Sequence, residues 1–357
     1  MYIESVFLKN FRNYKEKFLT FDKGLNVIVG NNATGKTNLL ESIYLCALGK
    51  SPRTTKEKEM ILWGQLYTYV KIVLVKKFRK HNIEIQIDDK GKKKIIIDGI
   101  SILKLGEIIG VLNIIFFSPD EMKMIKESPQ ERRRFIDISL SQQKKSYLYD
   151  VLKYNKILAQ RNKLLKTAKS QKAILETLPI WDIQLAKVGA NIASERYKFI
   201  AKLNTYASVK HALLTEGKEA IKLEYKSQVN DTNVLDIEKT MLQLYKDSAQ
   251  KDIELCYTTV GAHRDDMEIL VNDMQVRKFG SQGQQRTSTL SLKLAEIEMF
   301  EMETKEKPII LLDDVLSELD DCRQQKLLEA TKDNQTFLTC TSFDLKAQYH
   351  QVEYNSQ

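Results

Sequence analysis

Cysteine is scarce in this chain. Its four cysteines, Cys46, Cys256, Cys322 and Cys340, are scattered, form no C-x-x-C pair and have no histidine at metal-ligand spacing. A zinc site is therefore disfavoured, and the thiols read as small apolar side chains. No apolar stretch reaches membrane-spanning length, and no basic, apolar, small-residue leader opens the sequence, so a cytoplasmic protein without a membrane partner is expected. Internal repeats and low-complexity tracts are missing as well. Between Pro129 and Glu216 even the helix breakers nearly vanish, leaving Pro179 and Gly189.

What is present is an ordinary globular composition, 43% hydrophobic and 29% charged, with length for two domains in 357 residues. The breaker-poor stretch places apolar residues at helical spacing, as in Leu148, Leu152, Ile157, Leu158, Leu164 and Leu165. It predicts two long helical segments, about 130–168 and 180–215, packed as an antiparallel hairpin or small bundle. No heptad is sustained over three or four repeats, so a compact arm is expected and not a coiled coil. The formal charge of +9 is concentrated here: Ser128 to Glu216 carry 17 Lys and Arg against 7 Asp and Glu. A basic middle between balanced ends suits a polyanion, although a solvated helical face would carry such charge as well.

The stretch around which the chain is organised is Gly30-Asn31-Asn32-Ala33-Thr34-Gly35-Lys36-Thr37. It matches G-x-x-x-x-G-K-[ST], follows the apolar run Leu25 to Val29 and precedes the helix-like Asn38 to Leu48. A strand, a glycine turn and a helix N-terminus point successive backbone N–H groups into one concavity suited to a di- or triphosphate. Lys36 would reach the β- and γ-phosphates, and the Thr37 hydroxyl would ligate Mg²⁺. Far downstream, Pro308 to Leu312 form a second apolar run, ending in Asp313 and Asp314. Asp313 would serve the Mg²⁺ held by Thr37, and Asp314 could polarise a water facing the γ-phosphate.

About thirty residues before Asp313 stands Ser281-Gln282-Gly283-Gln284-Gln285, at the start of a long amphipathic pattern. Alone, it would read as no more than a helix cap. With Ser317 to Asp320, SELD, it resembles the signature and D-loop of ABC-type ATPases, with Gln282 where glycine is usual. The ordered set LKNFRNY, GLNVIVGNNATGKTNLLESI, SPRT, FFSPDE, RRRFID, GAHRDD, SQGQQRT and LLDDVLSELD covers nearly the whole chain. It resembles the RecF family of bacterial recombination mediators, ABC-type ATPases whose heads are related to SMC proteins.

That resemblance implies an α/β, ABC-type ATPase head with a mixed β-sheet and an inserted, mainly helical arm. Residues 1–127 and 251–357 would form the head and 128–250 the arm. It implies ATP at Gly30 to Thr37, with Arg12 facing nucleotide and Asp314 with Asp313 in the catalytic positions. Ser281, Gly283 and Gln284 would close the site of a second subunit in an ATP-dependent homodimer. It also implies slow, DNA-stimulated hydrolysis, nucleoid association, and work with RecR and RecO in placing RecA on gapped or junction DNA. Lys50, Arg53, Arg132, Arg133 and the lysines of Lys92 to Lys94 are the candidate nucleic-acid contacts. The triple Arg132 to Arg134 points to different faces of a helix, so at least one member is expected in a structural ion pair. The usual switch histidine is missing from Phe337 to Ser342, FLTCTS, which leaves Thr339 or Thr341 to sense the γ-phosphate. His263 is the other candidate, weighed against a hydrogen-bonded structural role. Two other readings are a transporter-type ABC subunit, disfavoured by the basic insertion, and an ATPase-nuclease of the overcoming-lysogenisation type, for whose nuclease domain there is no room.

Overall fold

The computed structural model describes residues 1–31, 34–77, 79–167, 171–342 and 349–352. The leading stretch runs β1 (Tyr2–Phe11), β2 (Tyr14–Thr20), β3 (Leu25–Val29), α1 (Lys36–Leu48), β4 (Tyr67–Val75), β5 (Lys80–Asp88), β6 (Lys93–Ile97), β7 (Ile100–Ile102) and β8 (Ile114–Phe117). The middle holds α2 (Lys123–Lys126), α3 (Pro129–Gln143), α4 (Lys145–Thr167), α5 (Gln171–Thr215), β9 (Ile221–Lys226), α6 (Val234–Leu255), β10 (Asp266–Val271), β11 (Met274–Gln275), α7 (Val276–Phe279) and α8 (Gln282–Thr304). The chain closes with β12 (Ile309–Asp313), α9 (Asp321–Thr331), β13 (Thr336–Cys340) and β14 (His350–Gln351).

Two units result, one from residues 1–121 with 296–357, the other from 122–295. The first is the α/β head. It has a six-stranded antiparallel sheet, β2-β1-β4-β5-β6-β7, and a five-stranded parallel sheet, β14-β3-β13-β12-β8. The strand types follow from the side chains. In β4, YTYVKIVLV, every second residue is buried, as in a strand with one face on a core. In β12, IILLD, all five are buried, as in a parallel strand covered on both faces. Chain ends are stitched together here: Gln335, before β13, donates to the carbonyls of Ile3 and Asp22 at 2.8 Å and accepts from the Ile3 N–H at 2.6 Å.

The second unit packs α3 to α6 with the antiparallel sheet β11-β10-β9. This unit extends to Ala295 and not to 250: residue 250 lies inside α6, and β10, β11, α7 and the first half of α8 also belong to it. The predicted break near residue 180 is also absent. Helix α5 runs through Pro179 for 45 residues. Its first turns are held by packing, with Ile174 and Leu178 buried against Leu165, Ala249 and Ile253, which offsets the backbone hydrogen bond that proline cannot donate. At the centre of the unit Arg161 is fully buried. It donates to Asp182 at 2.7 Å, to Asp252 at 2.6 Å and to Thr258 at 2.9 Å, joining α4, α5, α6 and the loop that follows. Among the described residues no helix is long and apolar enough to cross a membrane.

Candidate nucleotide site

The loop between β3 and α1 turns through Gly35, whose φ of 104° is open to glycine and strained for other residues. The Gly30 N–H donates to Cys340 O at 3.3 Å, which ties the loop to the end of β13. Asn13 donates to Thr34 O at 2.8 Å, and the Tyr14 hydroxyl to Gly35 O at 3.1 Å, so the β1–β2 turn braces the loop from outside. Lys36 is buried, and its ammonium donates to the carbonyls of Gly30 and, at 3.1 Å, Asn31. The cation thus sits inside the loop it is expected to serve. Asn32 and Ala33 lie outside the described residues.

Asp313 is brought to the same place by the parallel sheet. Thr37 Oγ1 donates to Asp313 Oδ1 at 2.8 Å, a contact across 276 positions of sequence. Strand register puts Thr339 beside Asp313. The Thr339 hydroxyl donates to Asp313 Oδ1 at 2.9 Å and accepts the Asp314 N–H at 3.0 Å. Burial pushes the Asp313 carboxyl above its ordinary value, while hydrogen bonds from Thr37 and Thr339 and the charge of Arg53 pull it back. A desolvated carboxylate 2.8 Å from a threonine hydroxyl fits the protein share of a Mg²⁺ site, whose other places are filled by phosphate and water. Thr339 itself is fully buried behind this pair. The expectation that it meets the γ-phosphate is corrected: it positions both aspartates, and Thr341, just beyond the strand, is the exposed one.

Asp314 lies past the strand end, exposed, with φ of 51°. Its backbone is fixed on both sides, by the bond to Thr339 and by the Ser317 hydroxyl on its carbonyl at 2.7 Å. SELD then leads into α9, with Asp320 capping Arg323 N at 2.9 Å.

A residue that the sequence reading did not single out is Glu41. On α1 it is 1% exposed, accepts Arg12 Nε at 2.9 Å and Nη2 at 2.6 Å, and takes the Ser51 hydroxyl at 2.5 Å. Arg53 lies 3.5 Å from the same carboxylate and donates to Asn38 at 2.9 Å. Arg12 also donates to Glu59 O at 2.6 Å, so its guanidinium is fixed against the helix that begins at Lys36. Removing one partner of a buried ion pair costs roughly 3–5 kcal/mol. Glu41→Ala is expected to fall at the lower end, since Arg12 keeps some solvent contact, and thermal unfolding of the variant measures it. Glu41→Gln, which retains one acceptor oxygen, should recover part of the loss. The signal was available in hindsight: α1 is buried on nearly every face, so a glutamate within it must be paired.

The family described as RecF/RecN/SMC N terminal domain matches residues 2–352. The DNA replication and repair protein RecF of Clostridium tetani is 45% identical over 346 residues, covering 96% of this chain and 94% of its own. That of Clostridium kluyveri is 46% identical over 344 residues, with the same coverage. The chain belongs to the RecF family. A solved structure of the recombination mediator protein RecF with ATP superposes with a TM-score of 0.92 at 36% identity, over 99% of this chain and 96% of the other. An SMC head bound to the C-winged helix domain of ScpA, 19% identical with a TM-score of 0.56, shares the fold.

In this RecF-family chain the signature segment is an exposed helix start. Ser281 accepts the Gln284 N–H at 3.2 Å, and Gln284 Oε1 accepts the Ser281 N–H at 3.0 Å, a reciprocal capping box. The cap reading and the signature reading therefore describe the same atoms. Ser281, Gln282 and Gly283 are exposed, while Gln284 is held by Glu219 at 2.9 Å.

Of the expected nucleic-acid contacts, Lys50 and Arg53 are exposed. Lys93 instead donates to Gly49 O at 2.5 Å and pairs with Glu57. Arg132 is withdrawn from the set. It is 4% exposed, pairs with Asp266 at 2.6 and 2.9 Å and donates to the carbonyls of Met124 and Glu127. Arg133 is half-buried and donates to Asp265 O at 2.5 Å. His263 bonds Tyr154 at 2.9 Å and Thr258 O at 3.1 Å, and burial lowers its pKa to about 4. It is a neutral structural residue of the helical unit.

Proposed function

We propose that the chain is an ATP-gated DNA clamp of recombinational repair. The observation that carries this reading is the Thr37–Asp313 hydrogen bond, which joins the two halves of an ATPase site from opposite ends of the sequence. Lys36 and the loop amides would hold the phosphates of ATP, and Thr37 with Asp313 would hold Mg²⁺, whose charge offsets that of the phosphates. Asp314 is the general base toward water. Two heads bind face to face, each closing the other's nucleotide with the exposed helix start at Ser281, Gly283 and Gln284. ATP then favours the dimer because it binds the dimer better than the monomer.

Support for the DNA partner comes from the net positive charge of residues 128–216 and from exposed Lys50 and Arg53, which suit phosphate contacts that position without reading sequence. The relatives are DNA replication and repair proteins by name, and the similar solved structure is of a mediator in the RecFOR pathway. Double-stranded DNA beside a single-strand gap is the proposed substrate, RecR and RecO the proposed partners, and RecA loading the outcome. Hydrolysis is slow and releases the clamp.

Ser281→Arg tests the reading. It places a bulky cation at the exposed helix start and leaves Thr37 and Asp313 themselves unaltered. Size-exclusion chromatography with light scattering is expected to show ATP-dependent dimers for the parent chain and monomers for the variant. Nucleotide titration of the monomer should be unchanged. Dimers retained by the variant would contradict the shared site.

A further inference from the structure

The parallel strands of the head have two ends. At their carboxyl ends lie the phosphate loop and Asp313. At the start of β12 and β13 lies a cleft of about 640 Å³, lined by Lys23, Lys76, Lys77, Arg79, Lys305 and Lys307. Two carboxylates share the lining, Glu306 and Asp333, and Glu306 is already engaged with Lys76 at 3.3 Å. The cleft is therefore strongly cationic, and β12 separates it from Asp313 by roughly 17 Å, at about 3.3 Å per residue. One nucleotide cannot occupy both ends.

The cations stand on a rigid frame. Buried Gln335 forms part of the lining and makes the three hydrogen bonds that tie β1 and Asp22 to the start of β13. Lys23 lies over the Tyr2 ring, 4.8 Å from its centroid. Arg79 donates to His81 at 3.1 Å and lies 3.7 Å from Asp98. Lys305 and Lys307 flank Glu306, and among the described residues neither is in an ion pair. Like charges converge at a cost unless an anion joins them, and lysines act as point charges that accept phosphate without a fixed fork geometry.

We infer that this cleft is a second phosphate-binding site of the head, distinct from the nucleotide loop, which takes successive phosphates on one chain. A nucleic-acid backbone and a free inorganic polyphosphate share that chemistry. The site goes beyond the clamp proposed above and does not depend on it.

Lysine acetylation footprinting by mass spectrometry tests the inference, using the full chain with Lys36→Ala so that the phosphate loop does not compete. The probes are inorganic tripolyphosphate, a duplex oligonucleotide and polyglutamate. Labelling of Lys305 and Lys307 is expected to fall about fivefold at a tripolyphosphate concentration about four times its Kd. If the duplex protects them too, the source is a nucleic-acid backbone. Lys23→Glu/Lys305→Glu/Lys307→Glu should then lower the slope of log affinity against log salt by about 0.9 for each phosphate that the altered cleft no longer neutralises. Protection by tripolyphosphate and not by duplex assigns the site to the free anion. Protection by polyglutamate alone, or by no probe, would overturn it. A failed clamp leaves a different mark: an oligomeric state of the unaltered parent chain that does not respond to ATP, with the footprints unchanged.

Discussion

Replacing Lys36 by alanine is expected to weaken ATP binding about 10- to 100-fold, since a hydrogen bond to a charged group is worth about 1.5–3 kcal/mol. The ammonium is held in the loop by the carbonyls of Gly30 and Asn31, on a buried stem. Its position owes nothing to chance rotamers. A phosphate that enters the loop exchanges two neutral acceptors for anionic ones, and this gain is what the alanine forfeits. The effect on assembly is larger. At ATP concentrations below the Kd of the monomer, a symmetric dimer, which holds two such sites, loses up to the square of that factor, giving about 10²- to 10⁴-fold weaker ATP-dependent association. Light scattering over a range of protein concentrations, with and without ATP, measures it against nucleotide titration of the same sample. Dimers of undiminished strength would mean that Lys36 does not reach the phosphates.

Asp314→Asn is expected to slow hydrolysis about 10²- to 10⁴-fold, the usual contribution of a general base, with ATP affinity unchanged. The choice of asparagine matters. Asp314 has φ of 51°, in the left-handed region that asparagine tolerates and most residues do not. Its main chain is held by Thr339 and Ser317 through backbone atoms, which the substitution preserves. The change therefore removes basicity while leaving the peptide where it was. With release slowed, ATP-bound dimers should outlast those of the parent chain, as single-turnover hydrolysis and dimer lifetime would record. Asp313→Asn differs in kind, because Asp313 is buried between two threonine hydroxyls and its loss disturbs the Mg²⁺ position as well.

Much of the head was legible because its signals are local. A strand, a glycine turn and a helix lie within one window from Leu25 to Leu48, and alternation in Tyr67 to Val75 marks a half-covered strand. The buried run Ile309 to Asp313 could also be read directly, and its partner Thr37 followed from the chemistry of the loop. Thr339 was not legible in the same way. Its role depends on the register that sets it beside Asp313, and register between parallel strands is fixed by tertiary packing. The same is true of Arg132, whose partner Asp266 lies 134 positions on. In sequence it stands in a run of three arginines, and nothing local separates the buried one from its neighbours. The helix through Pro179 shows packing prevailing over a local breaker signal.

The central claim is that each nucleotide is held by two copies of the chain. Mixing the Lys36→Ala chain with the Ser281→Arg chain tests it most directly. Neither variant alone has an intact site. In a mixed dimer, the phosphate loop of the Ser281→Arg copy would meet the unaltered Ser281 of the Lys36→Ala copy, restoring one site of two. ATP hydrolysis by the mixture, titrated against the ratio of the two chains, should rise to a maximum near equal amounts, each mixed dimer turning over at about half the parent rate if the sites act independently. A mixture no more active than the sum of its separate components would contradict the account.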